Sequence, residues 1–136
     1  MIHKVYNVEA NDYENAGRVS SEIKRTLKNL QIHRYLLKAV AIACYEAEIN
    51  IVIHSDGGTV TFDVFDNGII QLKFDDVGPG IEDLQLALTP GYSTASSQAR
   101  SLGFGAGMGL SNMKGVANTF DITSSKEGTH ITMTFQ

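Results

Sequence analysis

The chain is poor in cysteine and proline and has no long apolar run. Its one cysteine, Cys44, excludes an internal disulfide and offers no thiolate pair to a metal. Set in an apolar stretch, it reads as a small buried hydrophobe. No segment approaches the roughly 18 apolar residues that a membrane helix needs. The nearest candidate, Leu36 to Ile53, is interrupted by Lys38, Glu46, Glu48 and Asn50. Met1-Ile2-His3-Lys4-Val5 lacks the apolar core of a signal peptide. A soluble, cytoplasmic protein without a membrane partner is expected. Positive charge is also scarce: the net charge is −4 and the pI is about 5.5. The basic runs are short, Lys24-Arg25 and Lys28, so direct nucleic-acid binding is not expected. No G-K-[ST] occurs anywhere, which excludes a Walker A loop.

What is present fits one domain spanning residues 1–136, with 43% apolar residues to build a core. Glycine is the informative count. There are 13 against two prolines, and Gly103, Gly105, Gly107 and Gly109 sit in one short segment.

Periodicity supplies the element order. His3 to Val8 reads as a short strand. Asn11 or Asp12 reads as a helix N-cap. Tyr13, Ala16, Val19, Ile23, Leu27 and Leu30 then recur at helical spacing. A second helix over Tyr35 to His54 is apolar nearly all round, which predicts packing on several sides. Val60, Phe62 and Val64 alternate with polar residues, Asp66-Asn67-Gly68 marks a hairpin, and Ile70, Leu72 and Phe74 continue the pattern. Asp76-Val77-Gly78-Pro79-Gly80 is a turn, and a short helix over Ile81 to Leu88 follows. Thr89 to Gly107 reads as a long lid-like loop. A helix over Met108 to Asn118 and strands at Asp121–Ser124 and Thr129–Phe135 close the chain. The order predicts an α+β fold: a two-layer sandwich whose mixed, mainly antiparallel sheet carries helices on one face.

Three segments carry chemistry. Glu46, Asn50 and His54 are four apart and so lie near one line on the second helix. Polar groups on so apolar a helix need a polar partner, which could be neighbouring backbone, water or a ligand. His54 could equally close the helix end. Asp76, at a strand end before Gly78 and Gly80, could accept a hydrogen bond from an amine over a tight turn, or sit in an ordinary strand-to-helix connection. Gly103 to Leu110 exposes bare backbone N–H groups at a helix start, which suits phosphate, although a glycine hinge has the same composition.

The order of the three segments is more specific than any one of them. Glu-x-x-x-Asn on a helix, Asp-x-Gly-x-Gly after a hairpin, a glycine-rich junction into a helix, and Gly128-Thr129 entering the last strand resemble the GHKL ATP-binding superfamily of gyrase, heat-shock chaperone, histidine kinase and MutL type. More narrowly, the chain resembles the anti-sigma-factor serine kinases and related switch kinases. The stretch Gly78 to Asp83 through Gly91-Tyr92-Ser93-Thr94 is similar to the switch-kinase branch.

That resemblance implies the Bergerat-type fold, ATP and Mg²⁺, and roles for particular residues. Asn50 matches the metal-holding amide and Glu46 the general base. Asp76 matches the adenine-reading carboxylate, with Gly78 and Gly80 shaping the base pocket and Thr129 beside it. Gly105, Gly107, Met108, Gly109 and Leu110 match the phosphate-cradling junction. His54 stands where a polar residue near the phosphates is frequent, and Arg100 is a candidate γ-phosphate contact on charge and location. Glu48 points roughly 160° away from Asn50 at a helical 100° per residue, so it is not expected to bind the metal. The implied activity is a protein serine/threonine kinase acting on a STAS-type partner, with a sigma factor as a further partner and a homodimer through the N-terminal strand, His3 to Val8, and the first helix. An ATP-dependent binding switch without turnover is the alternative. A histidine-kinase half would need a phosphoacceptor helix, which His33-Arg34-Tyr35 does not resemble. A MutL-type ATPase would need a transducer domain.

Overall fold

The computed structural model describes residues 1–81, 84–90 and 109–136. In order these form β1 (Ile2–Val8), α1 (Arg18–Asn29), α2 (Arg34–His54), β2 (Gly58–Val64), β3 (Ile70–Asp76), the one-turn α3 (Leu84–Ala87), α4 (Gly109–Val116), β4 (Thr119–Ser125) and β5 (Gly128–Phe135). The strands make one sheet in the order β1-β2-β3-β5-β4, and all four pairings are antiparallel. This is the two-layer α+β sandwich expected, with a ladder that is antiparallel throughout.

Alternation along the strands decides which side is core. Val60 pairs with Phe74 and Phe74 with Ile131; Phe62 pairs with Leu72 and Leu72 with Met133. These rows are buried, as are Ile70 and Phe135 in the row beside them. Each such side chain contributes about 1.5–3 kcal/mol by leaving water. Their strand neighbours Thr61, Lys73 and Thr132 point to the other side of the sheet. Val19, Ile23 and Leu27 from α1, Val40, Ala43, Cys44, Ala47 and Ile51 from α2, and Leu110 and Met113 from α4 complete one core. Burial pushes the Cys44 thiol well up, with Glu48 adding to the effect, so it is an inert packing residue. Among the described residues no helix is long and apolar enough to cross a membrane.

One feature differs from the pattern reading. The first helix does not run on from Tyr13. A single 3₁₀ turn, Tyr13–Asn15, is followed by Gly17 at φ 95°, and α1 begins at Arg18. Its N-terminal N–H groups are closed by a residue of α2: Glu48 accepts from Gly17, Val19 and Ser20 at 2.9–3.2 Å. α2 packs on several sides as expected, against α1, α4 and the sheet, and keeps one face partly open. Leu37, Ala41 and Ile42 stay partly exposed and Tyr45 is 40% exposed.

Candidate functional site

The site is assembled around the C-terminal half of α2. Fourfold spacing aligns Glu46 with Asn50, and the start of α4 lies directly on them. A β-carbon placed on Gly109 would lie 3.2 Å from Glu46 Oε2 and 3.5 Å from both side-chain heteroatoms of Asn50. A side chain there would press on the Glu46 carboxylate and touch the Asn50 amide, so the opening turn of α4 lies directly against both. The first N–H groups of a helix have no intrahelical acceptor and carry its positive dipole end. Leu110 and Met113, buried in the core, hold that end in place.

Asn112, one turn into α4, hydrogen-bonds the Glu46 carboxylate. Burial raises the Glu46 pKa above the ordinary glutamate value, and the Asn112 bond opposes the rise. A carboxylate held half-buried with a raised pKa is poised for proton transfer. His54 is the last residue of α2, and burial lowers its pKa, favouring the neutral imidazole.

The second cluster forms where β3 ends. Asp76 Oδ1 accepts the Thr129 N–H at 2.8 Å. Thr129 Oγ1 is 2.8 Å from Ser124 Oγ, which in turn accepts the Ile81 N–H at 2.7 Å. The chain reaches these bonds through very close backbone approaches. A β-carbon on Gly128 would meet the Asp76 carbonyl oxygen at 2.0 Å, and one on Gly80 the Ser125 carbonyl oxygen at 1.9 Å. Gly80 is also at φ 74°, a conformation that side chains disfavour. Burial pushes the Asp76 pKa up and Asp56 and Asp75 add to this, against the Thr129 N–H and His130. A carboxylate has about four acceptor sites and Thr129 occupies one of them, so Asp76 keeps capacity for another donor.

The two clusters are tied through the end of α2. Asp56 N–H donates to Val77 O at 2.8 Å and Val77 N–H to Gly57 O at 3.0 Å. A β-carbon on Gly78 would lie 3.3 Å from Ser55 Cα. The Asp76-to-Gly80 turn thus sits against the segment that directly follows His54. Arg100, Gly105, Gly107 and Met108 lie outside the described residues, as does most of the loop expected over Thr89 to Gly107. The short helix expected over Ile81 to Leu88 is described as Leu84–Ala87.

Sequence reasoning overlooked Ser124 and Asn112. Ser124 faces Thr129 across the last hairpin, a hydroxyl pair that the hairpin register would have exposed. Asn112 is three residues after Gly109, on the same helix face, and that spacing was its signal. Among the described residues no group of three or more His, Cys, Asp or Glu could hold a metal ion.

An antiparallel sheet backed by helices, with an acid and an amide on a core helix facing the start of another helix, defines the GHKL class of ATP-binding domain. Residues 10–135 match the model of the histidine kinase-like ATPase domain, and the chain belongs to that family. A search of the curated proteins finds no match. Among solved structures the fold is similar to that of the RsbU and RsbW domains of Rv1364c from Mycobacterium tuberculosis, with a TM-score of 0.63 and 17% identity. That alignment covers 96% of this chain and 31% of the other, and at this identity the likeness is one of fold.

Proposed function

We propose that this domain binds ATP with Mg²⁺ and transfers the γ-phosphoryl group to a serine or threonine of a STAS-type regulatory protein. In this reading it is an anti-sigma-factor-like switch, cytoplasmic, working as a homodimer and acting on transcription through a sigma factor or another regulator. Family membership and the RsbW-type fold support it. The observation that carries it is the seating of Gly109, at the start of α4, against both Glu46 and Asn50.

Each residue then has a task. Asp76 accepts the adenine amine, with the Thr129 N–H holding the carboxylate, Ser124 bonded in turn to the Thr129 hydroxyl, and Gly78 and Gly80 forming the turn beneath the ring. Asn50 would hold Mg²⁺, whose charge offsets that of the phosphates. Mg²⁺ bound with a nucleotide ordinarily completes its shell with phosphate oxygens and water. The N–H groups entering α4 at Gly109 and Leu110 suit phosphate oxygens, and Gly105, Gly107, Met108, Arg100 and His54 belong to the same proposal by resemblance. Glu46 takes the proton of the attacking hydroxyl as its oxygen bonds to the γ-phosphorus. The bond to the β–γ bridging oxygen breaks, and ADP leaves.

The test combines calorimetric ATP·Mg²⁺ binding with transfer of labelled phosphate to STAS-domain proteins of the source genome. Wild type should bind and transfer, Glu46→Gln should bind without transferring, and Asn50→Ala should lose Mg²⁺-dependent affinity. Absence of ATP binding by wild type would overturn the proposal. Binding without any transfer would leave the switch and remove the kinase.

A further inference from the structure

α2 is more apolar than the other described residues cover. Leu37, Ala41, Ile42 and Tyr45 floor an open groove of about 370 Å³ on the face of α2 beside α1. Lys24 of α1 and Arg34 and Lys38 of α2 line the same groove, and Glu46 is its furthest residue along α2. From Arg34 to Glu46 the helix rises about 18 Å, long enough to seat a short polypeptide segment. Beside it stand Leu30 and Tyr35, 45% and 72% exposed. The Arg34 guanidinium lies 5.8 Å from the Tyr35 ring centroid. Exposed tyrosine and arginine around an apolar floor are the composition of a protein interface.

Charge narrows the kind of partner. The chain carries 11 Lys and Arg against 15 Asp and Glu. Residues 18–54, which hold α1 and α2, nevertheless carry six of the basic residues and only three acids, Glu22, Glu46 and Glu48. Glu48 is 1% exposed and spent on the α1 N–H groups. The two-helix face is thus electropositive on an otherwise acidic protein. Lys24, Arg34 and Lys38 form no ion pair with another described residue.

We propose that this groove docks an acidic amphipathic segment of a partner protein. Its apolar side chains would lie on Leu37, Ala41 and Ile42, and its carboxylates on Lys24, Arg34 and Lys38. The net charge of −4 and the shortness of the basic runs argue against nucleic acid. The inference goes beyond the nucleotide reading and does not depend on it. If both hold, a docked segment lies beside Glu46.

Selection of displayed random peptides on the purified domain, without nucleotide, tests it. Winners should interleave Asp or Glu with Leu, Ile or Phe. A synthetic winner should lose about tenfold or more in affinity on the K24E/R34E/K38E variant. Lys substituted for the peptide's acids should restore binding to that variant. The three sites are exposed or at a groove rim, and an unchanged circular-dichroism melt shows that the variant folds. The milder Lys24→Gln/Lys38→Gln pair should show a smaller loss. Failure to select any peptide, winners without excess acid, or undiminished binding by the variant overturns the proposal. So does self-association of wild type that the variant abolishes, or binding of homopolymer RNA at this face. ATP affinity, titrated on the same preparations, should be equal in wild type and variant. Its absence in wild type counts against the kinase reading and leaves the groove standing.

Discussion

Glu48 Oε2 accepts the backbone N–H of Gly17 at 3.0 Å, joining two helices by a bond across 31 residues of sequence. Val19 and Ser20 add two more N–H donors, so one carboxylate closes the start of α1. Gly17 has no side chain to do this and stands against the Tyr45 ring, 3.1 Å from where its β-carbon would be. The bond also fixes α2 lengthwise, two residues from Glu46 and two from Asn50.

Removing that cap should cost stability before it costs chemistry. Glu48→Ala strands three N–H groups and should lower unfolding free energy by about 2–3 kcal/mol. Glu48→Gln should recover part of this, since an amide supplies one acceptor where the carboxylate supplies two. Urea midpoints at constant slope read the difference.

Two glycine substitutions should act in opposite directions. Gly80→Ala drives a β-carbon into the Ser125 carbonyl at a positive φ and should cost about 2 kcal/mol or more, together with nucleotide affinity. Gly115, inside α4, has nothing within 4 Å of its β-carbon position, so Gly115→Ala should stabilise by about 0.5–1 kcal/mol. Thermal melts of the two variants should move apart from wild type.

Asp76 gives stability a pH dependence of defined sign. Its folded pKa is raised from 3.8, chiefly by burial, so protonation favours the folded state. That contribution is complete below the unfolded value and is lost as pH rises through the folded one. Asp76→Asn, which does not ionise and keeps an acceptor for the Thr129 N–H, should lose less stability over that window. Melting temperature against pH for both proteins measures it. The proposed adenine contact would need the opposite, ionised form, so as pH falls wild-type ATP affinity should start to drop at a higher pH than an ordinary aspartate would dictate.

Asn112 should matter to transfer and not to nucleotide binding. Its bond steadies the Glu46 carboxylate. Asn112→Ala should leave ATP affinity within about twofold and slow phosphoryl transfer by about 10-fold. Parallel binding and single-turnover measurements separate the two effects.

Much of this was legible in the linear pattern. Alternation in β2 and β3 named the buried rows, and Asp66-Asn67-Gly68 named the turn, where Gly68 is at φ 88°. Fourfold spacing put Glu46 and Asn50 on one line. The same arithmetic turned Glu48 away from Asn50, yet it gave no hint that α1 was waiting on that side. The start of α1 was misread for the same reason: Asn11 and Asp12 have the chemistry of a cap, and the acceptor comes from α2 instead. Packing of α2 on several sides was legible in its composition; the open groove that Leu37, Ala41 and Tyr45 line was not.

Periodicity and local chemistry are properties of neighbours along the chain, so strands, helices, turns and the three polar motifs could be read from residue order. Contacts such as Glu48 with Gly17, Asp76 with Thr129 and Gly109 with Glu46 join residues tens of positions apart. Their partners are chosen by how helices and sheet pack around the shared core, and a linear pattern carries no distance across that core.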